Sequence, residues 1–314
     1  MPGFTHARWL AAIGFVVATT LSSCAGEVTT GEAAKESSSA TSTAPTTTSP
    51  TKVVDANAAF GAVEKARQEL SCTPLLANTL QASFRTDVPA MRDNAAKYRD
   101  LVTAWEKELG AIEFPADAAP VVTRLKASTA AEVADLNTMA TAADNATPQD
   151  VTAMANSLNF HETSVRAELD ELSAALGHPE PPAFVAGNRL ELAYGTFRQD
   201  STPVWPMFEE AVKKGDLAGA KAANDIEQKA AERYIATLDA IKWPPGYDDK
   251  VKTLQDALRG VIEFDRKQVD VPTVADILPP EQGTPVVAAA DNAKAVLMDA
   301  VMTEALKAGA LPKC

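Results

Sequence analysis

Residues 148–179 read PQDVTAMANSLNFHETSVRAELDELSAALGHP, and their spacing decides the fold class. Val151, Met154, Leu158, His161, Val165, Leu169, Leu172 and Leu176 recur every three or four positions. That is the period of one face of an α-helix, where side chains three and four apart lie above one another. Pro148 suits a first helical position, whose N–H has no intrahelical partner in any case. Gly177 stands just past the end, and Pro179 prevents continuation. The stretch predicts one long amphipathic helix. Glu162–Arg166 and Arg166–Asp170, each four apart, are expected on its solvent side.

Working outward, the same period runs through Val122, Leu125, Thr129, Val133 and Leu136, and again through Val251, Leu254, Leu258 and Val261. Strand signals are nearly absent from Asp55 onward, so the predicted class is all-α. The chain also resembles itself. Arg67-Gln68-Glu69 returns as Arg198-Gln199-Asp200, and Thr73-Pro74-Leu75 as Thr202-Pro203-Val204. Leu109-Gly110-Ala111-Ile112-Glu113-Phe114-Pro115 returns as Leu238-Asp239-Ala240-Ile241-Lys242-Trp243-Pro244. The offsets are 131, 129 and 129. At an offset of 132 the stripe from Met154 falls on Val286, Ala290, Ala293, Leu297 and Val301, and Gly177 falls on Gly309.

These correspondences predict two tandem four-helix-bundle-like repeats, at 55–180 and 183–314. Each holds a first helix broken at its Thr-Pro step, then three longer helices, with Phe114-Pro115 and Trp243-Pro244 as corners. His178–Ala183, with Pro179, Pro181 and Pro182, is the expected hinge. Val271–Thr284 is a Pro-containing loop with no counterpart in the first repeat.

The amino terminus is of another kind. Met1–Arg8 carries one fixed positive charge at Arg8, and Trp9–Leu21 is apolar but too short to cross a bilayer as a mature helix. It ends in Leu21-Ser22-Ser23-Cys24. This segment resembles the lipobox of bacterial lipoproteins, in which an aliphatic residue and two small residues precede an obligatory cysteine. The resemblance implies a signal peptide at 1–23 and a diacylglyceryl group on Cys24, the first residue of the mature chain. A thiol is the nucleophile that thioether formation needs, and small neighbours let the backbone enter a narrow protease groove. The resemblance further implies an extracytoplasmic protein on the cell membrane, N-acylated at Cys24 (palmitate). More than one acyl chain anchors stably where a single chain is marginal.

Residues 24–54 read as a disordered tether. Ala25–Lys52 holds thirteen Ser or Thr and no Leu, Ile, Phe, Tyr or Trp, too little apolar surface to offset the entropy of folding. Its reach as a flexible coil is about 30 Å. Thr46-Thr47-Thr48-Ser49-Pro50 could also carry O-linked sugar. This Ala-rich, Thr/Pro-tethered composition is similar to that of actinobacterial, especially mycobacterial, lipoproteins.

The 314 residues carry 29 Lys plus Arg against 42 Asp plus Glu, a net charge of -13. Such a chain repels phosphate backbones, which argues against nucleic acid as a partner. If lipid takes Cys24, two of the three cysteines remain, and export permits them to pair. A Cys72–Cys314 disulfide is therefore expected, joining the last helix to the first break. The alternative is a buried Cys72 with a free Cys314.

Chemistry-bearing motifs are scarce. His161-Glu162 does not continue into a second histidine four residues on, so the zinc-protease pattern is missing. Leu158 and Ala175 stand three before His161 and His178, where a di-iron bundle needs glutamates. No Gly-rich phosphate loop and no Gly-x-Ser-x-Gly elbow occur. No metal and no cofactor are expected.

Candidate ligand or partner contacts are His161, Trp205 and Trp243. His161 reads as an inward, hydrogen-bonded core residue, with an axial haem ligand or another polar contact as the sharper options. Trp205 could line a groove between repeats, and Trp243 is either a recognition corner or a rigid turn. The pairs Trp105/Tyr234 and Phe114/Trp243 read as core anchors shared by the repeats. The expected function is a non-catalytic, membrane-anchored lipoprotein that binds an envelope protein or scaffolds the envelope. The alternative is a carrier of a small apolar ligand or lipid in a cleft between repeats, and an enzyme ranks third.

Overall fold

The computed structural model describes residues 54–277 and 283–309, so Cys24, the signal segment, Cys314 and nearly all of the tether lie outside the described residues. The helices in order are α1 (Ala56–Cys72), α2 (Leu75–Phe84), α3 (Val88–Ala111), α4 (Ala119–Ala140) and α5 (Pro148–Ala175). They continue with α6 (Pro182–Ser201), α7 (Val204–Lys214), α8 (Leu217–Ala240), α9 (Asp248–Val269) and α10 (Thr284–Lys307). No strand occurs among the described residues.

The helices of the two predicted repeats follow in the same order along the chain. α1 and α2 form the first repeat's broken helix, α6 and α7 the second's. The breaks fall at Thr73-Pro74 and Thr202-Pro203, where proline removes an N–H and crowds the preceding turn. α3 and α8 are both 24 residues and α4 and α9 both 22. Each second copy begins 129 positions after the first, 88 to 217 and 119 to 248.

One repeated device escaped the sequence reading. α2 and α7 both end in a left-handed residue, Thr86 (φ 55°) and Gly215 (φ 69°). In each, the next residue's N–H returns to a carbonyl five residues back, Asp87 to Ala82 and Asp216 to Ala211, at 2.9 Å in both cases. Those aspartates then cap the next helix, accepting from the amides of Ala90 (3.1 Å) and Gly219 (2.9 Å). One residue pair thus stops a helix, reverses the chain and starts the next.

α5 opens as expected at Pro148, under a capping box formed by Thr147 and Asp150. The Asp150 amide donates to the Thr147 hydroxyl (3.2 Å), and the Thr147 amide donates to the Asp150 carboxylate (3.0 Å). Gly177 closes the helix with φ 86°.

Each repeat has its own apolar core. Met91, Leu109, Leu125, Leu136, Met139, Leu158 and Leu172 fill the first. Leu190, Leu238, Leu254, Leu258, Leu297 and Val301 fill the second. The aromatic anchors Trp105 and Tyr234 stand at equivalent core positions, 3% and 2% exposed. Phe114 and Trp243 pack from the corners against the two cores.

The repeats are joined by helix packing. Residues from Asp55 onward form one compact unit, in which α6 packs on α8 and α10 of its own repeat and also on α5 of the first. Two glycines of α6 permit this. A Cβ on Gly187 would stand 3.0 Å from Val301 of α10, and one on Gly195 would stand 3.0 Å from Phe160 of α5. α5 is therefore covered on two sides. The expectation for its charged pairs is corrected: Glu162 and Asp170 are buried, not on the solvent side, Asp170 toward Asn188 of α6 and Glu162 beside Glu132 of α4. Glu162 does pair with Arg166, but Asp170 pairs across the seam with Asn188. The expected hinge is also pinned. The His178 ring stacks on Phe60 of α1 (centroids 4.1 Å apart), with Nε2 2.8 Å from the Asn57 side-chain oxygen.

Candidate functional site

The seam between α5 and α6 is polar and ordered. The Asn188 amide donates to Asp170 at 2.9 Å, both residues being buried. Burial raises the Asp170 carboxyl to about 6, although the Asn188 hydrogen bond works in the opposite direction. At the next position, the Arg189 guanidinium bonds the Ala167 carbonyl (3.2 Å) and the Glu171 carboxylate. Glu171 also binds Arg124 of α4, which reaches Glu168 at 3.0 Å. α4, α5 and α6 are thereby tied at one level.

Beside this network a half-open groove runs between α6 and α8, with a volume of about 560 Å³. Its apolar wall is Val185, Ala186, Leu192 and Ala193 of α6, facing Ala240 and Ile241 at the end of α8. Thr196 and Thr237 also line it, but their hydroxyls donate to the Leu192 and Arg233 carbonyls, at 2.9 Å each. Arg189 and Glu171 close one edge by pairing with each other. Lys242, exposed at the mouth, has no ion-pair partner among the described residues. The wall is thus apolar with a single uncommitted cation.

Two further features are chemically unusual. In the first core, Glu132 of α4 is 2% exposed, and its Oε1 has no hydrogen-bond partner among the described residues. Burial and the neighbouring Glu162 push its carboxyl up to about 8, against the weaker pull of Arg166, Tyr98 and Arg67. In the second repeat, Asp265 of α9 is likewise buried, at 4% exposure, with Oδ2 unpartnered among the described residues. Burial and Glu227 raise it to about 8 as well. Both acids are therefore neutral at pH 7. No group of three or more His, Cys, Asp or Glu side chains among the described residues is arranged to hold a metal ion.

The residues singled out from sequence are held by separate partners. His161 is half-buried, and its Nδ1 stands 2.5 Å from Asp135 of α4. Ser157 donates to the other oxygen of that carboxylate at 2.8 Å. His161 thus joins α5 to α4 through a carboxylate, where the sequence had it pointing into the core. Trp205 is 42% exposed at the start of α7 and stacks on Phe208 (centroids 5.9 Å apart). The Trp243 indole N–H donates to the Leu238 carbonyl at 2.9 Å, closing the α8–α9 corner. None of the three lines the groove, although Lys242 adjoins Trp243. Cys72 is disulfide-bonded, and its partner sulfur lies outside the described residues.

Arg189, Lys242 and the apolar wall were missed from sequence. A signal was present: 182–195 holds only Asn188, Arg189 and Glu191 as strongly polar residues, so α6 is apolar on more than one face. No protein-family model, no curated protein and no solved structure matches this chain.

Proposed function

We propose that this chain is a non-catalytic binding protein, tethered to the outer face of the cell membrane through lipid on Cys24, that holds a small apolar ligand in the α6–α8 groove. The single observation that carries the ligand reading is the groove. A volume of about 560 Å³ lies inside the range of about 300–1,000 Å³ for small-molecule sites. Its wall is mostly aliphatic, with one charged side chain left over. The anchor reading rests on Leu21-Ser22-Ser23-Cys24 behind an apolar segment.

A second reading, docking of an envelope protein, is favoured by α7. Trp205 is 42% exposed there, a large aromatic side chain left on the surface.

Two measurements test these readings. The Cys24→Ala chain should leave the membrane fraction, and retention there rejects the anchor. Native mass spectrometry of the purified full chain should show a co-purified ligand mass that Thr237→Trp removes. A ligand-free spectrum for the parent chain, together with a crosslinked protein lost on Trp205→Ala, would favour the second reading.

A further inference from the structure

We infer that the groove is a site for one long-chain fatty acid, its chain along α6 and its carboxylate at Lys242. This rests on the ligand reading above and specifies its chemistry. Three observations carry it. The first is shape: the wall from Val185 to Thr196 spans twelve residues of α6, or about 16 Å of helix axis. A trough of that length between two helices suits a single extended chain.

The second is hydrogen-bonding capacity. The Thr196 and Thr237 hydroxyl protons are committed to helix carbonyls, and Arg189 is committed to Glu171 and the Ala167 carbonyl. No lining residue is among those with a buried, unpartnered side-chain atom. A peptide would bring backbone amides that this wall does not satisfy, whereas a hydrocarbon chain brings none.

The third is charge. Lys242 is the cation at the mouth without a partner among the described residues, and one ammonium matches one monovalent head group. The corresponding residue of the first repeat, 129 positions earlier, is Glu113, so this cation belongs to the second repeat alone.

The test uses the full chain carrying Cys24→Ala, so that no attached acyl group competes for the groove. It is stripped of lipid and titrated with cis-parinaric acid, a fluorescent long-chain carboxylate. Palmitate and hexadecanol then compete. Saturable binding at one site is expected, with palmitate displacing the probe better than hexadecanol. Lys242→Glu should weaken the acid about fivefold or more, the upper worth of a rim ion pair, and leave the alcohol unchanged. Thr237→Trp and Thr196→Trp, both at exposed positions on opposite walls, should each abolish binding. Circular dichroism and the thermal midpoint verify that the variants fold. Equal affinity for acid and alcohol, with indifference to Lys242→Glu, overturns the head-group assignment and leaves an apolar carrier standing. Undiminished binding in both folded tryptophan variants overturns the groove itself.

Discussion

Replacing Glu132 by glutamine should stabilise the protein, and should do so only above mildly acidic pH. The carboxyl has an ordinary value near 4.5 and is raised to about 8 in the folded chain. The folded state therefore keeps a proton that the unfolded chain releases across this interval. Each pH unit between the two values costs about 1.4 kcal/mol of stability. The contribution of this residue is most favourable below pH 4.5, falls as pH rises toward 8, and levels off above it. At pH 7 the deficit is about 3 kcal/mol for this residue. Glutamine has nearly the same shape and no proton to lose, so the deficit disappears. Its amide must still be buried, which offsets the gain by about 1 kcal/mol or more. Urea unfolding of parent and Glu132→Gln chains at pH 5, 6, 7 and 8 measures this. The variant's advantage should grow with pH by about 1.4 kcal/mol per unit, with unchanged m-values. Parallel curves for the two chains across pH 5–8 would refute the claim that this carboxyl is buried uncharged.

Asp265→Asn should behave the same way in the second repeat, because its carboxyl is also raised to about 8. With the two acids in separate repeats, the double variant's gain should equal the sum of the single gains to within about 0.5 kcal/mol, read from the same unfolding curves. Thr86→Gly should stabilise by up to about 1 kcal/mol, because a β-branched residue sits at φ 55° where the second repeat has glycine. Gly215→Ala should lower the thermal midpoint for the converse reason.

Much of the fold is written locally. A Thr-Pro step breaks a helix wherever it stands, and a Phe-Pro or Trp-Pro corner separates two helices without help from the rest of the chain. Repeated at a fixed offset, those signals carry the two-repeat plan. The fate of Glu162 and Asp170 could not be read in that way. A periodic stripe identifies one buried face; Asp170 lies on a second, which exists because α6 returns across α5, whereas Glu162 is enclosed on the core side beside Glu132 of α4 and Tyr98 of α3. The placement of Glu162 and Asp170 is a consequence of tertiary packing. His161 shows the limit in miniature: it sits on the apolar stripe, yet Asp135 on another helix decides its hydrogen bond. The groove was invisible for a similar reason. Leu192 and Ile241 are 49 positions apart and acquire meaning only when α6 and α8 lie side by side.

The seam through α6 constrains how this chain can be cut or inherited. Severed between Gly177 and Pro182, the amino-terminal half would keep Asp170 without its amide and Glu171 without one of its two guanidinium groups. The other half would lose the surface against which Phe160 meets Gly195. Neither fragment is a finished product, so the halves should melt in one endotherm. A substitution on either helix must also suit both sides, leaving this boundary less freedom to drift than the outer faces have.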